Sequence, residues 1–595
     1  MGAIMTPVNA ARYAFGGVTR ERLDALVDGW LLTCYKDDPQ LIQVFRDRRF
    51  ENYHDLLPWN GEFAGKLLTG GAYCYMLTGD SELKAEMLHI ALDYADTIGE
   101  DGYGGCMPQS KRLSGWDSWG MYHCVLGLFK WYKLTGDKRL MNAALSVADY
   151  MAEVFLDTKS EIKKPYLPTE PGNTGVETSQ AFMHAFLLLY RETEEPRYMQ
   201  AAKAILEDFS LPYAGDYYRK ALEGVPFYKM PKPRWESMHP VQGLAELYLL
   251  TEDRSYKEAF CNIWKSIIKT DVHNTGAFST LEQAVGNPFA EGAIETCCVI
   301  AFACVTIDYL RLTGDSRAAD WLELMYFNAI MGYQHPGGHW FTYNTPMDGV
   351  RKSSYTDIVF QAREGAPDLN CCSANAARGL SNPAEWAFMQ RGYMEMCVNW
   401  YAPVHAELMN GAWEIDIDSG YPAEPYAHIY IKSIDERQDT FYFRIPAWSR
   451  NTKFYVDDEE QEVRPGSYHK VKRDWSKGAD IDIEFDFSLW QVTGEREKEG
   501  LASLYRGPVL LARDDRFNDM PAEAARETAI DPGYFRPIDL REGFPVPFAA
   551  LEFFTDEGEE VVLCDFATAG MAGTKYATWL KTSRPVRTVP ALTEI

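Results

Sequence analysis

Apolar residues recur at three- and four-residue spacing through the first two thirds of the chain, as in MYHCVLGLFKWYKL from Met121, KRLMNAALSVADYMAEVF from Lys138 and AFMHAFLLLY from Ala181. That period predicts amphipathic helices. A short polar punctuation repeats between them: LTGDSEL at Leu77, LTGDKRL at Leu134, ETEEPRY at Glu192, LTEDRSY at Leu250 and LTGDSRA at Leu312. The threonines Thr78, Thr135, Thr193, Thr251 and Thr313 lie 57, 58, 58 and 62 residues apart. A fixed period of this size marks a repeated supersecondary unit. Gly ends one helix and the following Asp can cap the next, so each unit reads as a helical hairpin. Five or six hairpins around an axis make an (α/α)6 toroid, with an open superhelical solenoid as the rival. Long connections carrying Trp, Gly and Pro favour the closed barrel.

After about residue 398 the period changes to two. TFYFRIPAWS, DIDIEFDF, ASLYRGPVLLA and EVVLCDF alternate and are punctuated by Gly, Pro and Asp, which predicts strands of two small β-sandwiches. The expected organisation is a helical catalytic domain over 1–398, a β-sandwich over 399–498 and a second β-sandwich over 499–595. The charged run GEREKEG marks the junction between the last two.

Composition narrows the function. With 595 residues the chain is too long for one core. A net charge of −27 argues against nucleic acid and anionic membranes as partners. The N-terminus shows no basic segment followed by a long apolar core, so no signal peptide is expected. The 12 cysteines are expected as thiols or metal ligands in a reducing cytoplasm. Aromatic residues make up 14% of the chain, which suits a carbohydrate cleft and equally suits packing. Oligomeric state is left open, a homodimer included.

The chemistry concentrates in two places. Cys371 and Cys372 are adjacent, and adjacent cysteines fit disulfide geometry poorly. Upstream stands Glu295-Thr296-Cys297. Three thiols and a carboxylate are the inventory of a tetrahedral zinc site, and read otherwise they are buried small apolar groups. Polar and aromatic clusters recur at the same phase of successive repeats, around Glu62, Trp116–His123, Trp235–Pro240, Gly276–Cys298 and His339–Pro346, where loops at one end of a barrel would meet.

The motifs W-x-GE-x-x-GK from Trp59, WD-x-W-x-x-YH from Trp116, E-T-C, Tyr-Asn-x-Pro from Tyr343, CC-x-x-N-x-x-R from Cys371 and L-x-R-G-P from Leu504 together resemble glycoside hydrolase family 127, the zinc-dependent β-L-arabinofuranosidases and their relatives. The resemblance implies Zn2+ held by Glu295, Cys297, Cys371 and Cys372. It makes Cys371 the nucleophile and a glutamate the acid/base. Glu282 is the candidate for that glutamate, with Leu281 where the family has Gly, and Glu291 is the reserve. It also implies sugar contacts by His123, His239 and Tyr343, with Trp116, Asp117, Trp119 and Glu62 as further candidates. A third-repeat histidine of the family has no counterpart in register, its place being taken by Ser179. The implied function is a retaining, exo-acting hydrolase releasing a terminal L-arabinofuranose-like sugar from small glycosides. A zinc-stabilised carbohydrate-binding protein and an inverting glycosidase or lyase on the same toroid are the alternatives.

Overall fold

The computed structural model describes residues 3–49, 59–156, 175–211, 214–351, 369–436, 438–540 and 544–593. The main helices of its helical part are α1 (Gly17–Leu26), α2 (Phe63–Thr78), α3 (Ser81–Ala95), α4 (Asp117–Thr135), α5 (Lys138–Leu156), α6 (Phe182–Thr193), α7 (Pro196–Asp208), α8 (Met238–Thr251), α9 (Arg254–Thr270), α10 (Thr296–Thr313), α11 (Ser316–Met325) and α12 (Cys371–Leu380), with shorter helices such as Gln40–Asp47 and Tyr217–Leu222 between them. Helix α2 packs on α4, α4 on α6, α6 on α8, α8 on α10, α10 on α12 and α12 back on α2. The even-numbered helices therefore close an inner ring, which decides for the toroid over the open solenoid. The inner helices are buried nearly all round. On hydropathy α10 could pass for a membrane span, but 89% of it is buried inside the protein.

The repeated punctuation is a device for turning the chain. Each threonine hydroxyl donates back to the carbonyl four residues earlier, Thr135 to Trp131 at 2.7 Å and Thr313 to Tyr309 at 2.7 Å. The next residue adopts a left-handed conformation: Gly79, Gly136 and Gly314 in three repeats, Glu194 and Glu252 in the other two. The acid after that caps the next helix, as Asp80 does by accepting from the Glu82 and Leu83 amides. Glutamate at a left-handed position loses Gly's steric freedom, so these two turns rest on the Thr and cap bonds.

Beyond α12, two sheets face each other as a sandwich. One has five strands in the order Thr6–Pro7, Phe388–Gly392, Glu395–Val398, Gln438–Ile445, Ser467–Asp474. The other has seven, with Tyr426–Ser433 between Trp413–Ser419 and Ala479–Glu484, and Ile429 opposite both Ile417 and Ile481. Alternate residues of these strands are buried, as the two-residue period requires. Two corrections to the expected boundaries follow. Strands Thr6–Pro7 and Arg12–Phe15 pair with the sandwich, not with the helices. Trp490–Thr493 pairs with Ala502–Arg506, so the charged run GEREKEG is a hairpin turn inside the last sheet and not a domain junction. That last sheet is a network of eight strands around its own small core of Leu504, Leu511, Phe553 and Leu563.

Buried ion pairs fasten the layers together. Arg444 of the sandwich is fully buried, and its Nη1 lies 2.6 Å from Asp320 of α11. Asn274, in the loop after α9, donates to Ser503 and Thr578 of the last sheet at 2.8 Å each.

Candidate active site

The N-termini of the inner helices converge at one end of the barrel. Glu295 is the cap residue of α10, and Cys297 stands in its first turn. Cys371 and Cys372 open α12, whose cap Asn370 accepts from the Cys372 and Ser373 amides in a capping box. Two helix N-termini thus point at three sulfurs, where their partial positive charge favours thiolate. The short antiparallel ladder Ala293–Glu295 with Asn344–Pro346 sets Glu295 opposite Asn344 and brings Tyr343 alongside.

One donor atom each from Glu295, Cys297, Cys371 and Cys372 lies within 4.8 Å of the other three, and all four residues are buried. The Sγ–Sγ separations are 3.7 Å for Cys372–Cys297 and 3.9 Å for Cys371–Cys372. Glu295 Oε1 is 3.5 Å from Cys372 Sγ and 4.0 Å from Cys371 Sγ. With Zn–S near 2.3 Å and Zn–O near 2.0 Å, tetrahedral geometry requires edges of about 3.8 Å and about 3.5 Å. The donor set therefore fits zinc in both number and spacing.

Its electrostatics point the same way. Burial raises the carboxyl of Glu295 well above the ordinary range, with the nearby charges of Glu282 and Cys297 adding to it. Burial likewise raises Cys371 and Cys372. Burial opposes ionisation of Cys297 too, but hydrogen bonds from Cys371 and Cys372 and the charge of Lys66 hold it well below the usual thiol value. For all four donors to be anionic together, a cation would have to sit among them.

Lys66 was quoted in a motif but given no role by sequence. Its Nζ lies 3.5 Å from Cys297 Sγ and 2.9 Å from Glu62 Oε1. Burial lifts Glu62 to about 7, against the pull of Lys66. Its other oxygen accepts from the Trp119 indole. Glu62 thus positions Lys66 and Trp119. Asp117 is also occupied, accepting from the Tyr103 hydroxyl at 2.7 Å and the Leu113 amide at 2.8 Å. Both carboxylates expected at the sugar are spoken for by the protein.

An aromatic wall adjoins the four-donor cluster through Lys66, whose Nζ lies 5.9 Å from the Trp119 ring and 5.2 Å from the Trp235 ring. Trp119 meets His123 edge-on at 4.5 Å, His239 at 4.9 Å and Trp235 at 5.6 Å. Trp116 lies at its rim, 6.4 Å from Trp119. Burial and the charges of Lys66 and Arg378 push both histidines well below their ordinary pKa, so they are neutral. Among the described residues, His123 Nε2 has no hydrogen-bond partner. His239 Nδ1 is 2.9 Å from the Tyr122 hydroxyl, which is also 3.0 Å from Nδ1 of His184. His184, on α6, is a buried histidine of the third repeat. Ser179 is buried against Ser118 at 2.6 Å.

Tyr343 places its hydroxyl 3.4 Å from Cys371 Sγ. Glu282 forms an ion pair with Arg234 at 3.0 Å, and its charge raises both Glu295 and Tyr343. Leu281 and Glu282 are both left-handed, at φ 59° and 61°. Such backbone costs roughly 1–3 kcal/mol per residue. Bonds from the Trp235 amide to the Glu282 carbonyl (3.1 Å) and from Ala284 to Pro233 (2.8 Å) hold it in place. Arg234 also binds Glu236, a buried carboxyl raised by burial that sequence had not singled out. Glu291 lies elsewhere: its carboxylate pairs with Lys498 at 2.6 Å and Arg526 at 3.7 Å.

Residues 26–385 match the family description "Beta-L-arabinofuranosidase, GH127 catalytic domain", and residues 395–487 match its "GH127 middle domain". No functionally curated protein matches the sequence. Among solved structures, the chain is similar to one titled a GH127 β-arabinofuranosidase, at 18% identity and TM-score 0.79, covering 99% of each chain. It is also similar to a GH127 β-L-arabinofuranosidase from Geobacillus stearothermophilus T6, at 17% identity and TM-score 0.78, covering 96% of this chain and 100% of that one. At these identities the structures establish a shared fold.

Proposed function

Because this chain belongs to the GH127 family of glycoside hydrolases, we propose that it is a retaining, exo-acting enzyme that releases a terminal β-L-arabinofuranosyl residue from small glycosides, with Cys371 as nucleophile and Glu282 as acid/base. The observation that carries this reading is the four-donor cluster, in which the Cys371 thiol faces the Tyr343 hydroxyl. Cys371 is 5% exposed, whereas Cys297 and Cys372 are fully buried.

Glu295, Cys297, Cys371 and Cys372 would hold a zinc ion. Bound there, zinc supplies thiolate at neutral pH. In the first step Cys371 Sγ attacks the anomeric carbon. The bond to the aglycone oxygen breaks as Glu282 gives that oxygen its proton. In the second step Glu282 takes a proton from water, the water oxygen attacks the same carbon and the C–S bond breaks. Two inversions give net retention, with sulfur in the place of the usual second carboxylate. The Tyr343 hydroxyl orients the sulfur. Neutral His123 and His239 are suited to sugar hydroxyls, and Trp119 and Trp235 offer apolar surface to the ring.

A panel of 4-nitrophenyl glycosides, β-L-arabinofuranoside included, with metal analysis of the same preparation, tests this. The expected result is release from the β-L-arabinofuranoside, about one zinc per chain, and activity lost on chelation and restored by zinc. Full activity in metal-free protein, or no release from that substrate, would contradict it.

A further inference from the structure

The barrel is not filled along its whole axis. Two to three turns below the thiols, every inner helix contributes to a cavity of about 210 Å³ near the opposite end of the ring. Cys304 and Asp308 stand there on α10, below Cys297, and Arg378 on α12, below Cys371. The chain His239–Tyr122–His184 separates it from the site above, and His184 forms part of its wall.

We propose that this cavity is a binding site for a small monovalent anion of the halide class, seated against the guanidinium of Arg378. The charges lining the cavity do not balance. Lys130 is paired with Glu385 at 2.9 Å. Arg311 is paired with Asp308 at 2.5 Å and with Glu246 at 3.2 Å, and Arg191 also reaches Glu246. With Arg378, four cations face three carboxylates, so the lining carries 4 − 3 = 1 excess positive charge.

That excess belongs to Arg378. It is 5% exposed and lines the cavity, yet among the described residues it makes no hydrogen bond or ion pair, and its Nε is buried without a partner. The charge of Glu385 acts on it, but that carboxylate is already held by Lys130. Neighbouring neutral groups do not supply the missing charge. Burial pushes the Cys304 thiol up to about 11 and raises Tyr73 and Tyr122 further. An unpaired guanidinium out of water is costly, and a cavity of this size accommodates one halide with water around it. A single excess charge selects a monoanion over a dianion such as sulfate.

Crystals of the unmutated protein grown in sodium bromide test the site directly. An anomalous peak within hydrogen-bonding distance of Arg378 is expected. A cavity that holds only water, with no such peak, overturns the proposal. In parallel, the melting temperature is followed as chloride replaces gluconate at constant ionic strength. A saturable rise of about 2 °C or more across a hundredfold range is expected for the unmutated chain. In Arg378→Gln the half-saturating chloride concentration should rise roughly tenfold or more. Equal chloride responses in the two proteins overturn the proposal. The bromide map needs no variant, so it decides even if Arg378→Gln fails to fold.

Discussion

Lys66 Nζ stands 3.5 Å from Cys297 Sγ, with both side chains closed off from solvent. With a dication bound, three thiolates and a carboxylate would leave a buried net charge of about −2, and Lys66 is the ammonium placed to offset it. Removing Lys66 alone would strand Glu62, so the informative variant is Glu62→Gln with Lys66→Met. We expect zinc affinity to fall roughly 10–100-fold, as for other groups that support metal ligands. Competition with a chromophoric chelator measures it. Equal affinity in variant and parent would reduce Lys66 to a packing residue.

Cys371→Ser should remove nearly all activity and leave the fold intact, because the α12 cap is made by the Asn370 side chain and not by the sulfur. Cys297→Ser, at a sulfur with no exposure, should act mainly through zinc loss. Zinc content and circular dichroism recorded beside the rate separate the two. A Cys371→Ser protein with normal turnover would remove it as nucleophile.

A general acid matters less when the leaving group is already a stable anion. Glu282→Gln should therefore lose roughly 10²–10⁴-fold on a sugar or alkyl aglycone and far less on nitrophenol. Azide should partly restore turnover of the activated substrate, giving a glycosyl azide of retained configuration. The same loss on both aglycones, with no azide effect, would direct the search to Glu236, the buried carboxyl that shares Arg234.

Glu385 gives a pH signature. Burial opposes its ionisation, but Lys130, the Tyr73 hydroxyl and Arg378 outweigh that and bring it to about 2, against 4.5 in the unfolded chain. A depressed carboxyl contributes stability that is complete above the unfolded value and is lost as pH falls toward the folded one. Glu385→Gln should therefore be less stable than the parent at pH 6, and the gap should close between pH 4.5 and about 2. Denaturant unfolding at several pH values measures this. A gap independent of pH would mean that the ion pair contributes nothing.

What was legible in the sequence is what local physics writes into it. The Thr-Gly-Asp turns could be read because a back-bonded threonine, a left-handed residue and an acid cap are all satisfied within a few residues, even where Glu194 and Glu252 replace Gly. The four-donor cluster could be read because each of its residues sits in a compact motif at a helix start. What could not be read depends on contacts across the chain. Lys66 reaches Cys297 over 231 residues. His184 is linked to His239 through the Tyr122 hydroxyl, a contact 62 residues back in the chain. The N-terminal strands found their sandwich partners nearly 400 residues away, Arg12 opposite Glu407. The GEREKEG run looked like a linker because a charged hairpin turn and a charged junction have the same composition.

The central claim is that sulfur of Cys371 carries the sugar between the two steps. Rapid quenching of Glu282→Gln during turnover of nitrophenyl β-L-arabinofuranoside, followed by peptide mass mapping, tests it most directly. The account predicts a pentose-sized mass increase on the peptide containing Cys371, formed at the rate of nitrophenol release and discharged by azide. A pentosyl group on a glutamate or aspartate, or turnover with inverted product and no adduct, would contradict it.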